Sequence, residues 1–176
     1  MRKLSMDELN RLSQDEFSQV SKLPVIIVLD NIRSLNNIGS FFRTADAFKV
    51  SKIFLCGITA KPPHREIHKT ALGATETVEW NYFENVEDAI ALLRSLGYTI
   101  ICIEQTNESL PLWDYKPLEK TAFIFGNEVE GVSEVSIELC DASIEIPQEG
   151  TKHSLNVAVC GGIVMWHFFS AYRTTE

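Results

Sequence analysis

Short runs of β-branched and aromatic residues alternate, along almost the whole chain, with segments whose apolar positions recur every three to four residues. The extended runs predict strands at Val25–Leu29, Lys52–Cys56, Thr77–Trp80, Tyr98–Ile103, Ala122–Phe125 and Ala142–Ile146. Several are apolar at every position, the pattern of parallel strands covered on both faces. The helical spacing predicts helices at Met6–Val20, Ile38–Lys49, Val86–Leu96, Ser133–Leu139 and Leu155–Tyr172. This alternation predicts an α/β domain over residues 25–176, with a mostly parallel sheet and helices on both faces, preceded by a helical extension over residues 1–24. Two stretches rich in proline and turn formers, Gly57–Arg65 and Gln105–Pro117, read as long loops, where function often resides.

Composition narrows this picture. A chain of 176 residues with 45% apolar and 23% charged side chains suits one globular domain and excludes collagen-like or disordered classes. Sixteen basic against 24 acidic residues leave a net charge of −8, so no overall positive field draws a polyanion toward the protein. A nucleic-acid partner then requires local clustering of cations. Cys56, Cys102, Cys140 and Cys160 lie far apart in sequence, without the spacing of a zinc knuckle or redox dithiol, and read as reduced buried thiols. The N-terminal MRKLSMDELNRLSQDEF has no continuous apolar core and is no secretory signal, which points to a cytoplasmic protein. Leu155–Phe169 is interrupted by Asn156 and His167 and falls short of the roughly 18 apolar residues of a membrane span. It reads as a buried helix, and no membrane partner is expected.

Three segments could carry chemistry. In Leu29–Phe48 a strand end passes through a polar turn into a helix whose Ile38, Phe41, Phe42, Ala45 and Phe48 share one buried face. Gly39, Arg43 and Asp46 then share the opposite side. A glycine one turn before Arg43 would leave space for a phosphate or sugar, whereas a solvated Arg43–Asp46 pair is the plainer reading. Asn36 or Asn37 reads as the helix N-cap. In Phe123–Ser133 a buried strand enters a glycine-punctuated turn, with Ser133 placed to cap the next helix and Glu134 in its first turn. Neither the dinucleotide fingerprint nor the P-loop is present, and Glu128 and Glu130 would repel a pyrophosphate. The turn is either an acidic surface loop or a site for a nucleoside that lacks phosphates and carries a positive centre. In Ile144–Trp166 a strand, a Pro/Gly loop and an apolar helix follow one another; Ser154 reads as the N-cap, and Asn156 inside the helix would need a partner if buried. Apolar positions all round that helix, with small residues at Ala158, Gly161 and Gly162, imply a second buried side that a homodimer contact would supply.

Taken together, Asn37-x-Gly39-x-x-x-Arg43, Phe125-Gly-Asn-Glu-x-x-Gly131-Val and Ile146-Pro147 through Ser154-Leu155-Asn156-Val157 resemble, in order and context, the three signature motifs of the SpoU/TrmH-type RNA ribose 2′-O-methyltransferases of the SPOUT superfamily. Lys69–Thr75, a turn before the third strand, adds a weaker match. The resemblance implies S-adenosylmethionine as methyl donor, a homodimer, and a C-terminal trefoil knot that general topology rules would not suggest. It implies catalytic or supporting roles for Arg43, Asn37, Glu128, Ser154 and Asn156. Donor binding falls to Glu104, Gln105, Thr106, Phe125, Gly126, Asn127, Gly131, Ile146, Pro147 and Leu155, and RNA binding to Arg33, Arg43, Arg65, Lys69 and Lys152. The expected activity is methyl transfer to a ribose 2′-hydroxyl of tRNA or rRNA; a non-catalytic RNA- or nucleotide-binding module of the same fold is the alternative.

Arg33, Arg43, Lys61, His64, Arg65, His68, Lys69, Lys152 and His153 all fall in or near the motif segments, so one face could be basic despite the net charge. His64 and His68 have a helical metal-ligand spacing, but no acid of an H-E-x-x-H motif stands between them, and no metal is expected. Substrate choice must come from this domain, its short N-terminal helix and its long loops.

Overall fold

The computed structural model describes residues 1–5, 7–116 and 120–173. Met6, Pro117 and residues 174–176, which bound the first predicted helix, the second long loop and the predicted domain, lie outside them. Strands β1 (Leu23–Asp30), β2 (Val50–Cys56), β3 (Glu79–Phe83), β4 (Thr99–Ile103), β5 (Leu110–Pro111), β6 (Thr121–Phe125) and β7 (Ala142–Glu145) form one sheet in the order β3-β2-β1-β6-β4-β7-β5. Every pairing between these strands is parallel. Alternate residues of each central strand feed two cores, as the period of two requires. Val25, Ile27 and Leu29 of β1 join Phe123 and Phe125 of β6 on one face, while Ile26 and Val28 join Ala122 and Ile124 on the other.

The first face is covered by α2 (Leu35–Ala47), α3 (Arg65–Ala71) and α7 (Val157–Arg173), the second by α5 (Val86–Ser95) and α6 (Glu134–Leu139). Ile38, Phe41, Phe42 and Ala45 of α2 are fully buried, and Phe48 is half-buried at its C-cap. Ser133 caps α6, as read from the sequence, by accepting from Ser136 N.

Several boundaries depart from the sequence reading. The N-terminal segment is not one helix: a 3-10 turn at Asp7–Leu9 is followed by Asn10 at φ 44, and α1 (Gln14–Gln19) starts at a capping box between Ser13 and Glu16. The stretch before β3 holds α3 and α4 (Ala74–Thr77), hinged at Leu72 (φ 51) and Gly73 (φ 91), so Thr77 ends a helix and the strand starts at Glu79. The second long loop contains β5 and a 3-10 turn at Leu112–Asp114. No helix of the described residues is long and apolar enough to cross a membrane.

Helices α2 and α3 touch through Gly39. A Cβ on Gly39 would collide with Thr70 Oγ1 and the Ile67 carbonyl. Gly39 is therefore buried in a helix contact and does not leave open space beside Arg43 for a phosphate or sugar. Gly161 serves the same purpose on α7, where a Cβ would meet the Phe41 ring.

Candidate functional site

All strands being parallel, the loops after β1, β4, β6 and β7 gather at the carboxyl edge of the sheet, where the strand order folds back on itself and open α/β sheets form crevices. A cavity of about 690 Å³ opens there. Its wall takes Glu104 and Gln105 from the end of β4, Phe125 to Val132 from the β6 turn, and Ile146 with Ser154 to Val157 from the segment leading into α7. Four carboxylates, those of Glu104, Glu128, Glu130 and Glu145, contribute to this wall, which contains His153 but no lysine or arginine. Such a lining disfavours phosphate and favours a neutral or cationic guest.

The β6 turn is held by its own backbone. Asn127 and Gly131 exchange two hydrogen bonds, each 2.9 Å, and the Asn127 side chain accepts from Val129 N (2.9 Å) and Glu130 N (3.2 Å) while donating to the Asn31 carbonyl (2.8 Å). Gly126 is required because a Cβ would strike the Gly131–Val132 peptide, and Gly131 because its φ is 73° with the Glu104 carboxylate against it. Glu104 is occupied structurally: Oε1 accepts from Gln105 N at 2.9 Å and Oε2 from Val132 N at 3.0 Å.

Glu128 reaches from this turn to the start of α2. Its carboxylate accepts from Arg33 N (2.9 Å), Ser34 N (3.0 Å) and the Asn37 side-chain amide (2.8 Å). It thereby neutralises donors at a helix N-terminus, where negative charge is favoured. Partial burial pushes its pKa upward, but the Arg33, Asn37 and Ser34 donors outweigh that and hold it below the usual carboxylate value. Asn37 Oδ1 in turn accepts from Asn156 Nδ2 at 3.1 Å. One chain of hydrogen bonds thus joins all three motif segments.

The capping assignments change. Ser34, rather than Asn36 or Asn37, is the N-cap of α2, accepting from Asn37 N. Asn156, rather than Ser154, performs that duty for α7, its Oδ1 accepting from Ala158 N (3.0 Å) and Val159 N (3.2 Å). Asn156 is exposed and stands at the helix start, so it is not a buried polar residue inside the helix. Asp46 accepts from Thr77 Oγ1 and forms no ion pair with Arg43.

The structure brings together Glu104, Gln105, Phe125, Gly126, Asn127, Glu128, Gly131, Ile146, Ser154, Leu155 and Asn156 around the cavity. Thr106 and Pro147 lie outside its wall, Thr106 in a turn where its Oγ1 accepts from Glu108 N. Arg33, Arg43, Arg65, Lys69 and Lys152 also lie outside the wall, and all five are exposed. Lys69 is paired with Glu66 at 2.9 Å. His64 Nδ1 caps α3 by accepting from Glu66 N, and no group of three His, Cys, Asp or Glu side chains among the described residues is placed to hold a metal.

Ile103, Ile137, Glu145 and Cys160, which also line the cavity, carry no motif signal in the sequence. Cys160 has only its helical position one turn after Asn156 to mark it. All four cysteines are free, two of them only partly buried. Cys102, whose thiol donates to the Ala142 carbonyl at 3.6 Å, is coupled to Cys140, remote in sequence, and their interaction lowers the Cys102 pKa while raising that of Cys140. Strand pairing sets Cys102 beside Ser143, just past Cys140, and no spacing rule could have shown this.

A family model, that of the SpoU rRNA methylases, matches residues 24–166. The chain is 31% identical over 152 residues to the 23S rRNA (guanosine-2′-O-)-methyltransferase RlmB of Neisseria meningitidis, an alignment covering 86% of this chain and 60% of that protein. It is 29% identical over 160 residues to RlmB of Nitrosomonas europaea, covering 89% and 60%. The chain thus spans about three fifths of the length of these curated relatives. Among solved structures, the TrmH/SpoU tRNA modifying enzyme of A. aeolicus superposes with a TM-score of 0.83 at 23% identity, covering 92% of this chain and 82% of that one. An AdoMet-bound rRNA methyltransferase of Sinorhizobium meliloti superposes with a TM-score of 0.79 at 27% identity, covering 94% and 62%.

Proposed function

The chain belongs to the SpoU rRNA methylase family, and on that premise we propose that it is a cytoplasmic, homodimeric enzyme that methylates a ribose 2′-hydroxyl of tRNA or rRNA with S-adenosylmethionine as donor. The observation that carries this reading is the hydrogen-bond chain Glu128–Asn37–Asn156, which ties the three motif segments together beside one electronegative cavity. That cavity suits the donor: it is roomy, partly apolar, rich in carboxylates for a sulfonium, and without a cation that would call for phosphate. The S. meliloti relative was solved with AdoMet bound.

When bound, the donor supplies an electrophilic methyl group. What the protein must add is position and a favourable field for the attacking oxygen. Glu104, Gln105, the Phe125–Gly131 turn and Ile146–Leu155 hold the donor, largely through backbone groups. The Arg43 side chain stands outside the cavity wall, is exposed and forms no ion pair among the described residues, so we assign it to the RNA. A guanidinium stays protonated, so it acts as a clamp on ribose-phosphate that favours alkoxide character at the 2′-oxygen. Asn37, Glu128 and Asn156 keep the turn and both helix starts in register, with Ser154 at the rim, while Arg33, Arg65, Lys69 and Lys152 add phosphate contacts.

A homodimer is supported by α7, where Val159, Ile163 and Trp166 are 53%, 39% and 55% exposed on one side of an otherwise packed helix. Insertion of β6 between β1 and β4, with β7 beyond β4, supports the knotted C-terminus.

The test is transfer of labelled methyl from S-adenosylmethionine to total RNA from cells lacking the gene, compared with Arg43→Ala. Transfer that yields 2′-O-methylnucleosides, reduced at least a hundredfold in the variant, supports the reading. A protein that binds RNA but transfers nothing in either form is the non-catalytic module instead.

A further inference from the structure

The loop Gly57–Arg65 follows β2 at the same sheet edge as the cavity, and it is fixed in place. Asn31, at φ 57, accepts from Ile58 N through Oδ1 at 3.1 Å. Thr59 is buried, donating to the Leu29 carbonyl and accepting from Ile32 N, both at 3.0 Å. Tyr82 OH of β3 donates to the Gly57 carbonyl at 2.9 Å. A Cβ on Gly57 would strike the Asn31 amide.

Despite this bracing, the loop turns an apolar surface outward. Ile58 is 65% exposed and Tyr82 37%, with Lys61 Nζ 4.2 Å from the centre of the Tyr82 ring. The loop contains Lys61, His64 and Arg65, all exposed, and no acidic residue. An aromatic ring and an isoleucine among cations, on a chain whose net charge is −8, form a surface suited to stacking and phosphate contact.

The same Asn31 that holds Ile58 accepts, through its carbonyl, from the Asn127 side chain in the cavity wall. The surface is thus two hydrogen bonds from the cavity. We infer that Ile58, Lys61 and Tyr82 form a docking platform for a single-stranded RNA nucleotide flanking the one to be methylated: the base replaces the Lys61 ammonium over the Tyr82 ring beside Ile58, and the displaced ammonium meets the phosphate. This rests on the RNA reading above and adds where the neighbouring nucleotide sits.

The test uses four variants, Lys61→Glu, Ile58→Ala combined with Tyr82→Ala, Tyr82→Phe, and Lys61→Gln. RNA binding is measured directly with total RNA from cells lacking the gene, alongside the RNA concentration that half-saturates methyl transfer. The double variant should weaken RNA binding by roughly five- to a hundredfold, the range of one stacked base, and Lys61→Glu should weaken it through lost phosphate attraction and added repulsion. Tyr82→Phe, which keeps the ring and loses only the Gly57 contact, should stay within about threefold. Lys61→Gln should flatten the dependence of log affinity on log salt by about 0.7. S-adenosylhomocysteine affinity should be unchanged in all four. Unaltered RNA binding in both Lys61→Glu and the double variant overturns the platform. So does a shift to monomer in sedimentation without loss of RNA affinity per subunit, which would assign the patch to a second copy of the chain. Failure of the transferase reading is separate: wild-type protein would then transfer no methyl, while the direct binding comparison still decides the platform.

Discussion

The Asn37 amide donates to Glu128 Oε1 at 2.8 Å, and through that bond the turn after β6 is fastened to the first turn of α2. Glu128 also accepts from two backbone N–H groups there, so the pair is at once a helix cap and a wall support. Asn37→Ala removes one charge-assisted bond and leaves the Asn156 amide without its acceptor. It should cost about 1–2 kcal/mol of stability. Calorimetric titration should show S-adenosylhomocysteine affinity falling more than melting temperature alone accounts for; an unchanged affinity would detach Asn37 from the cavity.

The sign of the pH dependence follows from Glu128. Its pKa is lowered on folding, so its contribution is complete above the unfolded value of about 4.3 and is lost as pH falls through the lower folded value. Wild-type protein should lose stability more steeply below about pH 4 than Glu128→Gln, whose cap is weaker but does not titrate. Parallel acid-unfolding curves would contradict the assignment.

Gly39→Ala pushes a methyl group into Thr70 Oγ1 and the Ile67 carbonyl, forcing α2 and α3 apart. A loss of about 1–3 kcal/mol is expected. Adding Thr70→Ala should recover only part of it, because the second obstacle is backbone. Full recovery in urea denaturation would show that the helix spacing is set by Thr70 alone.

Cys160 offers a chemical probe of the cavity wall. Burial, with the Glu104 carboxylate as a second cause, raises its pKa to about 12. Alkylation near neutral pH should therefore be slow, accelerate with each unit of pH through 10, and be blocked by S-adenosylhomocysteine, as read by peptide mass mapping. Modification that ignores the ligand would put the donor elsewhere.

The α7 stripe makes a prediction about assembly. Ile163→Glu with Trp166→Lys places charges on exposed apolar positions and should leave the fold intact while shifting light-scattering mass to one subunit. A dimer that survives both changes would have to use another surface.

The central strands were legible because burial on both faces writes itself into them as continuous apolar runs, as at Ala122–Phe125, all fully buried. Capping was not: Ser34 and Asn37, like Ser154 and Asn156, are plausible caps by residue type, and at α2 it is Glu128, 91 residues from Asn37, that takes the Asn37 amide while Ser34 caps the helix. Gly39 misled for a related reason. A glycine beside an arginine reads as free space for a ligand, but the helix that fills that space, α3, lay in a stretch with too few apolar positions to announce itself. The motif residues were legible as a set through resemblance, whereas the Asn31 bridge between cavity and loop exists only in three dimensions.

The most direct measurement is a crystal structure of the protein with S-adenosylhomocysteine. The account predicts the ligand lodged between the Phe125–Gly131 turn and Ile146–Leu155, with its adenosyl group against their backbone and the Glu128–Asn37–Asn156 bonds intact. Ligand density anywhere else on the chain, with that cavity filled by ordered solvent, would contradict it.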